Sequence, residues 1–205
     1  VELTVSGVDA GDRHAVERER AGLVDAQHGG RAERFDRRGA GQSGGRPESV
    51  TLSDLAEDVR IVAKWLADRK DVDPKRIGMT GISLGGHFAP RAVAYEPRFA
   101  SGACWGANHN WAEVQQKRLK REGENPVPHY WDHVMWVWGK KSMDEFMAYM
   151  PNVTLDGQIE KIRMPFLITH GEGDRQIPVS DAHRAYEQAV NSRKRELRVF
   201  TKADF

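Results

Sequence analysis

The residues whose types and spacing could do chemistry are concentrated at positions 77–86, which read IGMTGISLGG. Gly81, Ser83 and Gly85 form a G-x-S-x-G pattern between a short apolar stretch that predicts a strand and a segment that predicts a helix beginning near Leu84. So tight a turn excludes bulky neighbours and holds the serine hydroxyl above the sheet. The first helical N–H groups then point at an oxyanion forming on an attacked carbonyl. The spacing predicts Ser83 as a nucleophile and the Leu84 backbone N–H as an oxyanion donor.

A Gly/Ser-rich hexamer can also be a plain loop, and the flanking residues argue against that alternative. The sequence DPKR at positions 73–76 is typical of a turn, and the apolar residues that follow suit a short strand. The pattern therefore lies in the strand, turn and helix context that its mechanics require.

Composition limits the classes of protein and partner. With 205 residues the chain predicts one domain, and 31 basic against 30 acidic residues give a net charge of +1. We expect a small-molecule substrate, with neither nucleic acid nor a membrane as partner. The single cysteine, Cys104, excludes an internal disulfide framework, and no zinc-type spacing is present. We therefore expect a reducing, cytoplasmic setting, no metal and no cofactor; the oligomeric state is left open.

The hydrophobic pattern is weak at the start of the chain and clear in the rest. Residues 1–33 are poorly patterned and read as disordered or truncated, although 1–5 alternate like one strand, and the next strand signal comes only at 34–36. Residues 34–205 read as one incomplete domain, in which helices are predicted at 51–66, at 84–95 with Pro90 inside, and after Ser180. Strands are predicted at 77–80, 99–105, 164–169 and 196–200. Alternation of strands with helices predicts an α/β fold with a mostly parallel sheet covered by helices.

An insertion at about 106–162 looks like a helical cap. Asn110 and Ser142 are predicted helix N-caps, each with a glutamate three residues later. Four of the six tryptophans lie here, namely Trp111, Trp131, Trp136 and Trp138. Such a cluster is more often core than binding wall. In a cap that lies over a nucleophile, however, Trp131, Trp136 and Trp138 are candidates for the roof of a substrate pocket.

Three motifs in this order resemble the α/β-hydrolase superfamily. They are FDRRGAGQS at 35–43, GISLG at 81–85, and HGEGD at 170–174 with Pro178 beyond it. The cap and the phrase CWGANHNW at 104–111 resemble the branch with 2,6-dihydroxypseudooxynicotine hydrolase, polyketide-shortening hydrolases and FrsA-like esterases. The resemblance implies hydrolysis of an ester, or of a carbon–carbon bond next to a ketone, through an acyl-enzyme on Ser83.

The resemblance also assigns an acid and raises a question about the base. A serine needs a histidine to remove its proton, and that histidine needs a carboxylate, for which Asp174 is the candidate. The alternative is that Asp174 only forms a turn. In this fold the base follows the acid along the chain, yet no histidine follows His183. We expect His183 to be solvated, His170 to stiffen the acid loop and His87 to pack beneath its helix. The catalytic histidine is therefore expected beyond Phe205.

Two further matters stay open at this stage. A second oxyanion donor could come from the HGG sequence at 28–30, although little room separates it from position 35. The competing functions are a non-catalytic ligand-binding protein of the same fold and a peptidase of related fold. Nothing in the sequence identifies the acyl group or the leaving group.

Overall fold

The computed structural model describes residues 3–8, 24–26, 30–35, 52–121 and 127–204. The strands are β1 (Leu3–Val8), β2 (Val24–Ala26), β3 (Gly30–Phe35), β4 (Gly78–Ile82), β5 (Ser101–Trp105), β6 (Phe166–Gly171) and β7 (Arg195–Phe200). The helices are α1 (Leu52–Ala67), α2 (Gly85–Tyr95), α3 (Trp111–Arg121), α4 (Tyr130–Val137), α5 (Met143–Tyr149) and α6 (Val179–Gln188). Short 3-10 turns lie at Met150–Asn152, Ile159–Lys161 and Lys202–Asp204.

The seven strands form one sheet in the order β2-β3-β1-β4-β5-β6-β7. Strands β4 to β7 pair in parallel and alternate with helices, which confirms the predicted α/β class. Strand β1 pairs antiparallel with both β3 and β4, and β2 pairs antiparallel with β3. The sequence pattern missed β2 and most of β3, because β2 has only three residues and the GRAERF sequence of β3 carries three charged side chains.

The helix boundaries follow the capping signals in the cap region. The Asn110 side chain accepts the Glu113 N–H at 3.2 Å, and Ser142 accepts the Glu145 N–H at 3.2 Å, so both predicted N-caps are confirmed. The predicted cap at Ser180 is wrong, because α6 begins at Val179 with Pro178 as the preceding residue. Proline suits that boundary, since its fixed φ is compatible with the start of a helix and it has no N–H to satisfy.

The core forms where α2 packs against the parallel strands. A Cβ atom placed on Gly102 of β5 would lie 3.0 Å from Val93 of α2 and 3.1 Å from Phe166 of β6, so these three elements are in close contact. Cys104 lies in the middle of β5 and is 1% exposed, and burial raises the pKa of its thiol to about 12. Because β4, β5 and β6 are parallel, their carboxyl ends meet at one edge of the sheet.

No helix within the described ranges combines the length and the apolar character needed to cross a bilayer.

Candidate active site

Ser83 lies in the turn between β4 and α2, and its backbone conformation is strained. Its φ angle is 59°, in the left-handed region that residues other than glycine rarely adopt. The Ser83 N–H donates to the Trp105 carbonyl at 2.9 Å, and the Ser83 carbonyl accepts the Gly86 N–H at 2.8 Å. These two bonds stabilise the strained turn, and the Ser83 residue is exposed.

The glycines around Ser83 are required by space. A Cβ atom on Gly81 would lie 2.1 Å from the Gly85 carbonyl oxygen, and one on Gly86 would lie 2.3 Å from the Gly106 carbonyl oxygen. Both distances are far inside van der Waals contact with backbone that cannot move away. Helix α2 therefore approaches β4 and the loop after β5 as closely as backbone allows, which is the geometry that the G-x-S-x-G spacing predicts.

The predicted oxyanion donor lies directly after the nucleophile. Leu84 is the residue before the first turn of α2, and its N–H has no backbone acceptor among the described residues. An unpaired N–H at a helix start, next to an exposed hydroxyl, can bind a developing negative charge. The role of Leu84 stays a prediction, since no substrate oxygen is present to define the distance.

Asp174 lies in the loop after β6, at the same edge of the sheet as Ser83. Its Oδ1 atom accepts the N–H groups of Gln176 and Ile177 at 2.8 and 3.1 Å, which closes the loop. Within the described part of the chain, its Oδ2 atom lies 3.9 Å from His170 Nε2 and has no hydrogen-bond partner. The loop reaches the elbow, because the Ile177 side chain lies 3.7 Å from the Cβ position of Gly106, which is itself 3.8 Å from Ser83 N. Asp174 thus forms a turn with one oxygen and keeps the other available.

The described histidines leave the base unassigned. Among the residues that the structure describes, no hydrogen bond joins the Ser83 hydroxyl to a histidine. His170 is buried and donates from Nε2 to the Ile177 carbonyl at 3.0 Å, so it braces the acid loop as expected. His129, His133 and His183 are exposed. The expectation of a histidine beyond Phe205 stays a prediction.

His87 is the histidine nearest to Ser83 along the chain, and it is fully buried. Its Nδ1 donates to the Asn108 carbonyl at 3.1 Å, and its Nε2 has no partner in the ranges that the structure describes. Burial lowers the pKa of His87 to about 3, so the ring stays neutral at physiological pH. His87 packs beneath α2, as predicted, and fixes the loop that follows β5.

Sequence reasoning considered Asp181 only as an alternative to Asp174 for the acid, and it missed that this carboxylate is buried behind the loop. Asp181 of α6 accepts the backbone N–H groups of His109 and Asn110 at 3.0 and 3.3 Å. Burial raises the pKa of Asp181. The sequence offered only an acidic residue near a helix start, a position usually explained by the helix dipole. Both bonds are to Oδ2, and they place this carboxylate against the loop after β5 and not in the loop that follows β6.

The three cap tryptophans proposed as a pocket roof lie in different surroundings. Trp138 is 2% exposed, and its ring lies 5.4 Å from Trp111 and 6.3 Å from Phe88 of α2. Trp136 is 48% exposed and stacks on His133. Trp131 is half-buried. Trp138 is thus part of the packing between cap and core, while the contribution of the other two to a pocket stays a prediction.

Two sequence features fall outside the described residues. The FDRRGAGQS motif lies there from position 36 onward, and so do the first two residues of the HGG sequence at 28–30. Gly30, the third, is the first residue of β3.

Comparison with known proteins decides the family. The model of the prolyl oligopeptidase family (Peptidase_S9) matches residues 28–204, which is most of the chain and includes both Ser83 and Asp174. The chain belongs to the prolyl oligopeptidase family. Members of this family have the α/β-hydrolase fold, so the resemblance predicted from the three motifs is confirmed at that level.

The chain is also similar to a curated relative and to solved structures. This family member is 39% identical over 117 residues to the uncharacterized protein Rv2307c of Mycobacterium tuberculosis, a match that covers 52% of this chain and 39% of that protein. The Pyrococcus furiosus esterase PF2001 superposes with a TM-score of 0.65 at 20% identity, over 84% of this chain and 62% of the esterase. The 2,6-dihydroxy-pseudo-oxynicotine hydrolase does so with a TM-score of 0.65 at 21% identity, over 83% and 45%. The structural likenesses concern the fold, and the chain spans less than half of the curated relative's length.

Proposed function

We propose that this protein is a serine hydrolase that cleaves a small-molecule ester, or a carbon–carbon bond next to a ketone, in the cytoplasm. Ser83 attacks the carbonyl carbon, its proton passes to a histidine base, and the Leu84 N–H binds the oxyanion. The leaving group takes up the proton, and water then releases the acyl group from Ser83 by the reverse sequence of proton transfers. Asp174 orients the base and stabilises its charged form.

The observation that carries this proposal is the strained, exposed serine. A positive φ at a residue with a side chain costs on the order of 1–3 kcal/mol and persists only where surrounding structure imposes it. Here the Trp105 carbonyl and the close approach of Gly86 to Gly106 impose it. A protein that only bound a ligand would gain nothing from holding a serine hydroxyl in this way. The strain therefore supports catalysis over the ligand-binding alternative.

A peptidase is the second candidate, and the family assignment favours it. The match to the prolyl oligopeptidase family covers the nucleophile and acid segments, and the same serine chemistry cleaves amides as well as esters. A peptidase would hydrolyse the anilide of a short peptide, whereas an esterase of this kind would hydrolyse only activated esters. Paired assays with a peptide 4-nitroanilide and 4-nitrophenyl acetate separate the two candidates.

Labelling with a fluorophosphonate tests the proposal at its centre. We expect peptide mass mapping to find the phosphonate on Ser83, and added imidazole to accelerate the labelling because it can accept the hydroxyl proton. Ser83→Ala should abolish labelling. Ser101→Ala is a matched control, since Ser101 is also exposed at an end of the neighbouring strand and should leave labelling unchanged. Labelling spread over other serines, or absent even with imidazole, would replace the hydrolase by the ligand-binding alternative.

A further inference from the structure

A group of buried N–H donors without acceptors lies in the cap, between α3 and α4. Gln115 is 1% exposed, and its Nε2 has no partner among the described residues; the same is true of the buried Nε of Arg118 and the buried Nε1 of Trp131. Tyr130 joins them, because its hydroxyl donates to Gln115 Oε1 at 2.7 Å and its ring lies 4.0 Å from the Arg118 guanidinium carbon. We name these four residues the cap donor cluster.

The unpaired groups of the cap donor cluster are all hydrogen-bond donors. A buried donor that lacks an acceptor destabilises the fold, and a charged donor does so more strongly. Three such donors on residues that all contact Tyr130 therefore favour an acceptor that the described residues do not supply. Arg118 makes its one described side-chain hydrogen bond to the neutral Gln176 Oε1, at 2.8 Å, and forms no ion pair with a described carboxylate. Its positive charge is partly buried and uncompensated within the described part of the chain.

The position of the cap donor cluster connects it to the proposed active site. Arg118 bonds Gln176, which is two residues from Asp174 in the acid loop, and the next residue, Ile177, packs toward Gly106 beside Ser83. Arg121 on the same helix also reaches this loop, through the Arg175 carbonyl at 3.0 Å. Arg118, and the helix α3 that carries it, thus contact the loop with the proposed acid.

Aromatic side chains adjoin the donors. The Trp131 ring lies 5.1 Å from Tyr130 and 6.2 Å from Phe146, and Trp111 lies 6.0 Å from Phe146. A ligand here would meet apolar surface along its body and N–H donors at one end. Of common acceptor groups, a carboxylate matches best, because it offers about four lone-pair sites and a negative charge that would balance the guanidinium of Arg118.

We propose that Gln115, Arg118 and Trp131 bind a carboxylate of the substrate, so that the preferred substrate is an ester or ketone that also carries a free carboxylate on an apolar body. That the bound molecule is a substrate rests on the proposed hydrolase function, whereas the binding of a carboxylate does not depend on turnover. The guanidinium and amide N–H groups donate to the carboxylate oxygens, and the aromatic rings enclose the apolar part.

A matched pair of ligands tests the proposal without catalysis. Calorimetric titration of the Ser83→Ala protein compares 4-phenylbutyrate with the isosteric neutral amide 4-phenylbutyramide. We expect the acid to bind at least roughly 10-fold more tightly, because charge-assisted hydrogen bonds are about twice as strong as neutral ones. Equal affinities would show that water fills the site, and they would overturn the proposal, as would failure of both ligands to bind.

Variants then locate the effect. Arg118→Gln should remove the preference for the acid, while the matched control Arg121→Gln, on the same helix and against the same loop, should keep it. Gln115→Glu should also abolish binding of the acid, yet raise the melting temperature, because the new carboxylate pairs with Arg118 inside the cluster. That rise separates occupation of the site from loss of fold. Equal losses in the Arg118 and Arg121 variants would contradict the assignment.

The outcome is distinguishable from failure of the proposed hydrolase. If Ser83 resists the fluorophosphonate but the wild-type chain still prefers 4-phenylbutyrate, the hydrolase fails and the carboxylate site stands. If Ser83 is labelled, the kcat/KM values for mono-4-nitrophenyl glutarate and 4-nitrophenyl acetate test the substrate assignment. A ratio of the two kcat/KM values near one would contradict the substrate assignment.

Discussion

The carboxylate of Asp181 accepts the backbone N–H of His109 at 3.0 Å, although the two residues lie 72 positions apart. This bond fixes the loop after β5 to the start of α6. The same loop begins with Trp105 and Gly106, which hold Ser83 in its strained conformation. A carboxylate that contacts no reacting group therefore helps to keep the nucleophile in position.

A pair of substitutions at Asp181 separates the effect of losing the acceptor oxygen from the effect of losing the charge. Asp181→Ala leaves two backbone N–H groups without an acceptor and should cost about 2–4 kcal/mol of unfolding free energy. Asp181→Asn keeps an acceptor oxygen. Because burial raises the pKa of Asp181, the folded chain holds its proton to higher pH than the unfolded chain does. The stability of the wild type should therefore fall relative to Asp181→Asn as the pH rises through the raised value. Urea unfolding at several pH values measures this difference, and a constant difference contradicts it.

Asp174→Asn tests the acid with little disturbance of its loop. The amide oxygen can still accept the Gln176 and Ile177 N–H groups, but the charge that stabilises a protonated base is lost. In a protein that includes the histidine expected beyond Phe205, we expect kcat for 4-nitrophenyl acetate to fall by roughly 10⁴-fold, by analogy with serine proteases, at unchanged melting temperature. Asp73→Asn is the control, because Asp73 makes the same kind of turn bond, to Lys75 N at 2.9 Å. Near-normal activity of Asp174→Asn would remove the assigned role.

His87 should make the fold sensitive to acid. Its pKa is about 3 in the folded chain, because burial penalises the charged ring, against 6.5 for the free group. Between these values the unfolded chain binds a proton that the folded chain does not. The associated stability is thus complete above about pH 6.5 and is lost as the pH falls, by about 4 kcal/mol at pH 3. His87→Asn should flatten the dependence, whereas His183→Asn, at an exposed position, should not. A stability profile of His87→Asn that runs parallel to the wild-type profile across this pH range would contradict the prediction.

Two tryptophans near the end of α4 should respond in opposite ways. Trp138→Ala removes a buried ring that contacts Trp111 and Phe88, and we expect it to cost about 3–5 kcal/mol of unfolding free energy. Trp136→Ala removes a half-exposed ring and should cost less than about 1 kcal/mol. Denaturant unfolding followed by circular dichroism measures both costs. Similar costs for the two changes would show that the packing differs from that described.

The sequence predicted those parts of the molecule that depend on neighbouring residues. The elbow at Ser83 and the caps at Asn110 and Ser142 are local, since each involves residues within a few positions. The parallel strands carry enough apolar residues to be recognised individually. Most of strand β3 could not be recognised, because its sequence has three charged residues and its pairing with β1 joins distant parts of the chain.

Long-range polar contacts were the other part that sequence could not supply. The partners of Asp181 lie more than 70 positions away, and the Arg118 to Gln176 bond spans 58. Nothing in the spacing of either residue distinguishes it from an ordinary surface charge on a helix. Only the folded arrangement shows that one holds the loop behind the nucleophile and the other lies in a cluster of unpaired donors.

Cys104, the chain's one cysteine, gives the molecule a built-in reporter of sheet opening. It pairs with Gly81 of the nucleophile strand on one side and with Ile168 on the other, and its thiol is shielded from solvent. A disulfide reagent can reach it only when the packing over this face of the sheet opens, so the rate of thiol modification measures the free energy of that opening when reclosing is fast. Because the next residue, Trp105, accepts the Ser83 N–H, a single colorimetric reaction would follow the integrity of the nucleophile turn without any engineered label.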